Sequence, residues 1–377
     1  MAFSATPPAR DGEAYRAEIN APHRPTAAAV MQVLWNERRI SRSEIARRLN
    51  VSRSTVSEIV TGVLPTGLVA EVGEGQSHGG RRPIVLEFQD DARSIIGVDM
   101  GASHVGVALT NLRGNVITWA EQSHPVRSDP RGTRALIADL ATDCINRAGT
   151  SVGGLIGIGI AAPCPVDVRY PDQLSRLVLP VWEGRSGLAE LRTRFHVPVL
   201  IDNDANLGAL AEHWWGAGRG IQDFAFIKAG TGVGSGHIIG GHVYRGSSGA
   251  AGEIGHLAID NDGPLCMCGL RGCLTTLVGS QALVDRAAAL VSERVESELH
   301  GREVSIAAIE DSALAGDGVA LQVVREAAQH LGIAVAGMLN LLNPALIILS
   351  GGLTRVGDGT GRTSHRPAWS TMTTASP

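Results

Sequence analysis

Three of the five cysteines in the chain, Cys266, Cys268 and Cys273, lie within eight positions, and His256 precedes the first of them by ten residues. Three thiolates and one imidazole are the ligands that a closed tetrahedral zinc site takes. A disulfide is the alternative, although it would leave one of the three cysteines unpaired, and disulfides are rare in the cytosol. The spacing therefore predicts a loop over residues 256–273 that is closed by a structural zinc ion.

The first residues of the chain carry both charge signs and no apolar core, which disfavours a secretory signal. One uncharged run, residues 331–353, is long enough to cross a membrane. Because Asn340, Asn343 and Pro344 interrupt this run, the pattern predicts a buried helix, a turn and a buried strand instead. We therefore expect a cytoplasmic protein with no membrane partner.

A chain of 377 residues is long enough for two or three domains. Residues 1–25 are rich in Pro, Ala and charge without periodicity, so we expect a disordered tail there. Residues 26–92 show three helical patterns, the first over 26–40, and then two strand-like segments. Ser41 or Ser43 suits the N-cap of the second helix. This order predicts a winged helix-turn-helix that binds double-stranded DNA.

Local charge supports the same interpretation. Residues 36–53 include six arginines and two glutamates, a basic patch that the formal net charge of −4 conceals. The third helix, which such domains place in the major groove, begins with an arginine and short hydrogen-bonding side chains. The residues expected to reach base edges and phosphates are Arg53, Ser54, Thr55 and Ser57, and those expected at the tip of the wing are Arg81 and Arg82. The alternative is a three-helix domain with a solvated basic face.

From about residue 93 the pattern changes to strand, loop and helix, which is typical of α/β structure in two lobes. Two loops that directly follow apolar strands, residues 99–101 and 230–236, carry glycines that let backbone amides approach phosphate oxygens. The candidate phosphate-binding residues are Asp99, Gly101, Gly230, Thr231, Gly232 and Gly234. Each loop taken alone is explained equally well as a turn aspartate or a glycine hairpin.

The segment DNDAN, residues 202–206, lies where a strand ends and a helix begins. A carboxylate at that point, Asp204, can act as a general base on a sugar hydroxyl, with Asn203 hydrogen-bonded to a neighbouring group. The alternative is structural, with Asp202 or Asp204 capping the helix. The segment alone does not decide between these two interpretations.

The motifs DMG, NDAN, GTGVGSG, GEIGH, CMCGLRGC and NPALIILSGGL occur in this order, and together they resemble the ROK family of sugar kinases and sugar-responsive repressors. The resemblance covers residues 93–353, and the preceding helix-turn-helix is similar to the repressor branch. It implies an actin-like, hexokinase-type ATPase fold whose two lobes divide near residue 203. It also implies a homodimer or tetramer.

The resemblance assigns roles to particular residues. It places a structural zinc ion at the four Cys and His positions named above. It places a monosaccharide against Asn203, Asp204, Glu253 and His256, with the histidine binding zinc through one ring nitrogen and facing the sugar with the other. The sugar site is thereby tied to a loop that the metal holds rigid.

The chain departs from the family in three places. The kinases of the family carry a glutamate where this chain has Thr275, and their first phosphate turn differs from the DMGASH of this chain. Both departures disfavour phosphoryl transfer more than they disfavour sugar binding. Residues 354–377 are polar and aperiodic where the family continues with core-forming elements. We therefore expect a disordered tail there, atypical or truncated relative to the family.

These observations predict a sugar-responsive, DNA-binding transcriptional regulator, a repressor of carbohydrate-utilisation genes with an operator and a monosaccharide as partners. The alternative is an ATP-dependent sugar kinase in which Asp204 is the catalytic base and ATP and Mg²⁺ are the cofactors. A third interpretation, suggested only by the tail, is a poorly folding product of an altered gene. We expect the chain not to be an enzyme, because the DNA-binding pattern and the departures from the kinases count against phosphoryl transfer.

Overall fold

The computed structural model describes residues 25–75 and 82–357. Residues 1–24 and 358–377, which hold most of the two predicted tails, lie outside the described residues. Contacts between residues divide the chain into two compact units. The first holds the described residues up to Ile95 together with Thr110–Ile117 and Thr150–Ile156, and the second holds Ile96–Leu109, Thr118–Gly149 and the described residues from Gly157 onward.

Residues 25–75 and 82–92 form a head at the start of the first unit. Its elements are α1 (Pro25–Glu37), β1 (Arg39–Ser41), α2 (Arg42–Leu49), α3 (Arg53–Val63), β2 (Val69–Glu74) and β3 (Ile84–Phe88). Apolar side chains from the helices and the sheet form one core, in which the fully buried ones are Val30, Leu34, Ile45, Val56, Val60 and Leu86. The predicted succession of three helices and a wing is confirmed.

The first helix is shorter than the sequence pattern indicated, and the wing has three strands rather than two. Helix α1 ends at Glu37, because Arg38 adopts the left-handed backbone conformation with φ 59°. Residues 39–41 then form β1, which pairs antiparallel with β3 in the sheet order β1-β3-β2. The pairing leaves Ile40 only 6% exposed, and this tertiary burial outweighs the local helical pattern.

A serine fixes the start of the second helix. The Oγ of Ser41 accepts a hydrogen bond from the amide of Glu44 at 3.3 Å, which satisfies one of the free donors of the first turn of α2. Ser41 is therefore the N-cap. The other candidate, Ser43, lies inside the helix with its hydroxyl 3.0 Å from that of Ser41.

The remainder of the described chain builds two sheets and the helices that accompany them. The five-stranded sheet has the order β6-β5-β4-β7-β8 and consists of β4 (Ser94–Met100), β5 (His104–Asn111), β6 (Val116–Ser123), β7 (Leu155–Ala162) and β8 (Val199–Asn203). The four-stranded sheet has the order β11-β10-β9-β12 and consists of β9 (Phe224–Ala229), β10 (Val233–Ile239), β11 (His242–Val243) and β12 (Leu346–Gly351). The helices are α4 (Pro130–Arg147), α5 (Leu188–Phe195), α6 (Asp204–Trp215), α7 (Thr275–Val278), α8 (Ser280–Glu293), α9 (Ile306–Leu314) and α10 (Gly318–Leu342).

Helix α6 follows β8 without a loop, since the strand ends at Asn203 and the helix begins at Asp204. The helix packs on β9 and β10, and its close approach to β10 requires a glycine at residue 236. A Cβ added at Gly236 would lie 2.2 Å from the carbonyl oxygen of Ala205. A larger residue there would push the start of α6 away from the sheet, so Gly236 helps to set the position of the candidate base.

The uncharged run at residues 331–353 forms the end of α10, a turn and β12, as predicted. Asn343 ends the helix in the left-handed conformation with φ 45°. None of the described helices is long and apolar enough to cross a membrane. Burial is less complete than the pattern indicated, because Leu341 near the end of α10 is 85% exposed.

Candidate functional site

Helix α3 exposes the start of its first turn. Ser52 caps the helix, since its Oγ accepts a hydrogen bond from the amide of Thr55 at 3.0 Å and lies 2.7 Å from the hydroxyls of both Ser54 and Thr55. Arg53 and Ser54 are exposed, whereas Thr55 and Ser57 are half-buried. The ion pairs of the described head all involve other arginines. The predicted base-contacting residues therefore begin with an exposed arginine that no described carboxylate neutralises.

The basic patch, in contrast, is largely compensated inside the head. Four of its six arginines form ion pairs, namely Arg39 with Glu87, Arg42 with Glu71, Arg47 with Glu44, and Arg48 with Glu37 and Glu44. Hydrogen bonds from Arg47 and Arg48 lower the pKa of Glu44 to about 2. The carboxylates on β2 and β3 are distant in sequence, so a local count could not include them. The patch therefore offers fewer uncompensated charges than the sequence indicated.

The wing contributes one described arginine. Arg82 is exposed, and its guanidinium lies 3.9 Å from the carboxylate of Glu74 at the end of β2. An exposed pair at this distance contributes little to stability, so the arginine remains available to a phosphate. The second wing arginine of the prediction, Arg81, lies outside the described residues.

A contact set that the sequence did not indicate joins α1 to the turn between β5 and β6, within the first unit. The guanidinium of Arg113 lies 4.6 Å from the ring centroid of Trp35 and donates to the carbonyl oxygen of that residue. It also donates to Oδ1 of Asp90 at 2.7 and 3.0 Å. The indole nitrogen of Trp35 donates to the carbonyl oxygen of Leu112 at 3.1 Å. Nothing in the local sequence distinguishes Arg113 from an ordinary turn residue.

The N-cap of α6 is Asn203, and neither Asp202 nor Asp204 caps the helix. The Oδ1 of Asn203 accepts hydrogen bonds from the amides of Ala205 at 3.0 Å and Asn206 at 3.2 Å. Its Nδ2 donates to the carbonyl oxygen of Cys164 at 3.2 Å. The side chain of Asn203, which is 9% exposed, is thus engaged in fixing the helix start.

The aspartate before the cap is a buried structural anion. Asp202 is 5% exposed, and its Oδ2 accepts two hydrogen bonds from Arg245, at 2.7 and 2.9 Å. Its Oδ1 accepts from the amide of Asn203 at 2.8 Å and from Nδ2 of Asn206 at 3.2 Å. Fixed in this way on both oxygens, Asp202 supports the site without facing a ligand.

The candidate base, Asp204, is also paired. Its Oδ1 accepts from the amide of Ala205 at 2.7 Å, and its Oδ2 accepts from the ammonium of Lys228 at 2.7 Å. Burial disfavours the charged form of Lys228, but the charges of Asp204 and Asp99 outweigh burial and raise the pKa of the lysine. The sequence motifs did not indicate this partner. The available signal was that Lys228 is the only lysine in the chain and closes an apolar strand.

The first predicted phosphate turn contains a second carboxylate near this lysine. Oδ2 of Asp99 lies 3.4 Å from Nε2 of His104, and no donor among the described residues reaches its buried Oδ1. Burial raises the pKa of Asp99, yet the hydrogen bond with His104 and the charge of Lys228 lower it further than burial raises it. The imidazole of His104 packs on Gly101, where an added Cβ would lie 2.2 Å from Cε1. The space beside the turn is therefore filled by a side chain of the protein itself.

The second predicted phosphate loop is a hairpin turn between β9 and β10. The antiparallel register pairs Ala229 with Val233, so the turn consists of residues 230–232. Thr231 and Gly232 are exposed. A Cβ at Gly232 would lie 3.7 Å from Oγ1 of Thr275, the residue that replaces the glutamate of the kinases. The geometry matches the glycine hairpin that was the alternative, and phosphate binding there remains a prediction.

Of the two other predicted sugar contacts, Glu253 interacts electrostatically with Asp204, and His256 lies next to Glu253. Burial, reinforced by the negative charge of Asp204, raises the pKa of Glu253 to about 7. An oxygen of Glu253 lies 4.0 Å from Nε2 of His256, which follows it by three residues. Asp204, Glu253 and His256 thus form one group of polar side chains, although they come from α6 and from the loop after β11.

The four predicted metal ligands converge. Their ligand atoms all lie within 4.8 Å of one another. Nδ1 of His256 is 3.4 Å from Sγ of Cys266, and Sγ of Cys268 is 3.5 Å from Sγ of Cys273. Ligands on a tetrahedral zinc ion are separated by roughly 3.6–3.8 Å, given the usual Zn–S and Zn–N lengths. The donor set and its spacing therefore fit a closed four-coordinate metal site.

Two protein families match this chain in sequence. The ROK family matches residues 95–363, and the family described as winged helix-turn-helix DNA-binding matches residues 25–61. A xylose repressor of Bacillus spizizenii is 35% identical over 311 residues, which cover 82% of this chain and 77% of the repressor. The chain belongs to the ROK family.

Solved structures share the fold. A ROK family transcriptional regulator, described as a homologue of the Escherichia coli MLC protein, has a TM-score of 0.75 at 24% identity and covers 88% of this chain and 83% of its own. A ROK family glucokinase from Streptomyces griseus, in complex with glucose and AMPPNP, has a TM-score of 0.60 at 28% identity, covering 70% and 84%. The predicted mixed α/β fold, a winged helix-turn-helix followed by an actin-like, hexokinase-type ROK domain, is confirmed. Because the fold serves regulators and kinases alike, the activity must be argued from the site.

Proposed function

We propose that the protein is a sugar-responsive transcriptional regulator that represses carbohydrate-utilisation genes by binding operator DNA and a monosaccharide. The observation that carries the proposal is a winged helix-turn-helix joined to a ROK domain whose candidate base, Asp204, is paired with Lys228. A DNA-binding head has no part in phosphoryl transfer to a free sugar. The relative that is 35% identical is named a xylose repressor, which supports the same function.

The head, assigned to residues 26–92, is the part that reads DNA. Helix α3 enters the major groove, and the residues that contact bases and phosphates are Arg53, Ser54, Thr55 and Ser57, with Arg81 and Arg82 on the wing. The exposure of Arg53 and its lack of a described ion pair support this role. The compensated arginines of the patch add little to the affinity.

The domain assigned to residues 93–353, with lobes that divide near residue 203, binds the sugar. Asp204, Glu253 and His256 supply the hydrogen bonds to its hydroxyl groups, and Asn203 fixes the helix start that carries Asp204. A pKa of Glu253 of about 7 lets its carboxyl group donate or accept a hydrogen bond at neutral pH. Carboxylates and an imidazole of this kind suit the hydroxyl groups of an uncharged monosaccharide.

We assign the metal as zinc. Three thiolates and one imidazole are soft and borderline ligands, and a closed set of four protein ligands is typical of a structural zinc ion. His256 binds it through Nδ1, which lies beside Cys266, and directs Nε2 towards the sugar group. The metal thus orients one of the sugar-binding side chains. ATP and Mg²⁺ are not part of this proposal.

We further propose a cytoplasmic homodimer or tetramer. Helix-turn-helix proteins read two half-sites with two-fold symmetry, which needs at least two heads. None of the five cysteines forms a disulfide in this structure, which suits a reducing compartment. Sugar binding changes DNA affinity if the two conformations of the protein differ in sugar affinity, and the coupling acts equally in both directions.

The test is a titration of the purified full chain on the DNA upstream of its own gene, at one fixed salt concentration because phosphate contacts make affinity steeply salt-dependent. The titration is repeated with D-xylose, D-glucose and N-acetyl-D-glucosamine. We expect specific binding that one sugar changes by about 5–150-fold, the usual range of allosteric coupling. Absence of specific binding with every sugar would contradict the proposal.

The second candidate is the ATP-dependent sugar kinase, favoured by Asp204 at the start of α6 and by the likeness to the glucokinase. Sugar-dependent ADP formation by the wild-type protein, lost in Asp204→Asn, would establish it. The regulator is the better supported function, because Asp204 is paired with Lys228 and the imidazole of His104 fills the space beside the first phosphate turn.

A further inference from the structure

Lys228 is the only lysine among 33 basic Lys and Arg residues, and it is half-buried in the candidate sugar site. Strand β9 carries it into the site, where 35% of its side chain is exposed. An ammonium is a compact cation with three donors, whereas a guanidinium is a planar fork. A chain that uses arginine everywhere else therefore has the smaller, point-like cation at this position.

The lysine, from β9 of the four-stranded sheet, acts on one carboxylate in β4 of the five-stranded sheet and on another at the start of α6. It donates to Oδ2 of Asp204 at 2.7 Å, and the second oxygen of that carboxylate accepts from the amide of Ala205. Its charge also stabilises the ionised form of Asp99. One ammonium thus partly compensates two negative charges at the end of β4 and the start of α6.

In phosphoryl-transfer enzymes a magnesium ion performs that compensation, because it is held by one or two carboxylates and by the phosphates of the nucleotide. Such an ion needs carboxylate oxygens that no other cation occupies. Here both oxygens of Asp204 already accept hydrogen bonds from the protein.

We propose that Lys228 is a built-in counter-cation that takes the place of a divalent metal ion between Asp99 and Asp204, so that the site binds its sugar without Mg²⁺ or nucleotide. This inference rests on the proposed function for the identity of the ligand as a sugar. Lys228 is in this sense a positioning residue, which holds Asp204 in place for sugar binding and removes it from phosphoryl transfer.

The first test is thermal unfolding of the full chain with and without 10 mM MgCl₂ (KCl of matched ionic strength is the reference). Replacing the ammonium by an uncharged side chain of similar length, Lys228→Met, leaves the two carboxylates without their counter-charge. We expect Mg²⁺ to raise the melting temperature of this variant by about 2–4 °C and to leave the wild type unchanged.

Three further variants show whether the response is specific. Lys228→Arg keeps the charge and should show no Mg²⁺ response. Lys228→Met/Asp204→Asn removes one of the two carboxylates and should lose most of the response. Arg245→Met breaks a different ion pair, that of Asp202, and should not gain a response. A purely structural role for Lys228 would lower stability without creating a magnesium-dependent shift.

A second measurement uses only the wild type. Its affinity for the sugar panel is measured by calorimetry without divalent ions, with MgCl₂, and with MgCl₂ and AMPPNP. We expect the three affinities to agree within about twofold. A tenfold tightening by Mg²⁺ or nucleotide, or a Mg²⁺-specific thermal shift of the wild type, would overturn the inference, as would a folded Lys228→Met that ignores Mg²⁺.

The two proposals fail separately. If no sugar binds, the sugar part of the proposed function fails, whereas the thermal shifts still decide the role of Lys228. If Lys228→Met is recovered folded only in the presence of Mg²⁺, the inference is supported. If it does not fold under either condition, the magnesium dependence of the wild type decides.

Discussion

The starts of α3 and α6 form an instructive pair. Each helix begins directly after a capping side chain, Ser52 in one case and Asn203 in the other, and each carries a charged residue at its first position. At α3 that residue is Arg53, which is exposed and outside the described ion pairs of the head. At α6 it is Asp204, whose side chain is 18% exposed and paired with Lys228. The two helix starts are built alike, but the charged side chain is exposed and outside the described ion pairs in the first unit, and largely buried and paired in the second.

The difference teaches what each helix start can bind. An unpaired cation at an exposed helix end suits DNA, because its binding to a phosphate releases a counterion that was condensed on the DNA. A carboxylate that is already neutralised suits hydroxyl groups, which exchange hydrogen bonds without bringing charge. The compensated arginines of the head resemble Asp204, because their charges are already paired. Arg53 differs from them in having no described ion pair.

The largest expected effect is on the stability of the loop over residues 256–273, which holds the predicted zinc ligands. Cys268→Ser should lose the metal and destabilise the second unit by about 4–5 kcal/mol or more, because a metal ligand set contributes directly to folding. Elemental analysis should show less than one zinc per chain. Hydrogen exchange should accelerate around residues 254–278 while α1 to α3 keep their protection. Cys144→Ala, a change of a buried cysteine outside the cluster, should retain the metal; full retention in Cys268→Ser would falsify the zinc assignment.

The next effect is on DNA affinity. Arg53→Ala should weaken operator binding by about 10–100-fold, since one good base contact contributes about 1–3 kcal/mol of discrimination. The sugar affinity should stay within about twofold. Arg47→Ala is the matched control, because that side chain is 74% exposed but paired with Glu44. Equal losses in the two variants would remove the distinction between open and compensated arginines.

A smaller effect is expected at the contact between α1 and the β5–β6 turn. Arg113→Ala should lower the free energy of unfolding by about 1–1.5 kcal/mol, because it leaves the partly buried Asp90 without its charge partner. Urea unfolding measures the change. Arg147→Ala, which removes a pair with both side chains 51% exposed, should cost less than about 0.5 kcal/mol. A loss that small in Arg113→Ala would show that the contact is not energetically important.

The smallest effect is a pH dependence at the first phosphate turn. The hydrogen bond to Asp99 raises the pKa of His104 above 6.5, against the opposing effect of burial. Because the folded-state pKa is the higher one, the stabilisation is complete below about pH 6.5 and is lost as pH rises through the folded value. The melting temperatures of wild type and His104→Asn should differ most near pH 5.5 and converge by pH 9. His300→Asn, a change at an exposed histidine, should show no such trend.

Much of the molecule was predictable because its signals are local. The three helices of the head follow from apolar periodicity, with a serine cap for the second, and the run from α10 to β12 follows from Asn343 and the apolar segments around it. The four metal ligands could be proposed because only a few residue types bind zinc and they are close in sequence. The first helix was misjudged at its end, since β1 exists only through its pairing with β3.

The sequence by itself determined which groups are present: a cysteine-rich loop, a charged residue at each helix start, a patch of arginines and a single lysine. Only the tertiary structure decided which charges remain free. Glu71 and Glu87 neutralise arginines that lie many residues earlier, and Lys228 on β9 reaches Asp204 at the start of α6. The physical reason is that electrostatic interaction depends on distance in space and on burial, neither of which a linear count contains.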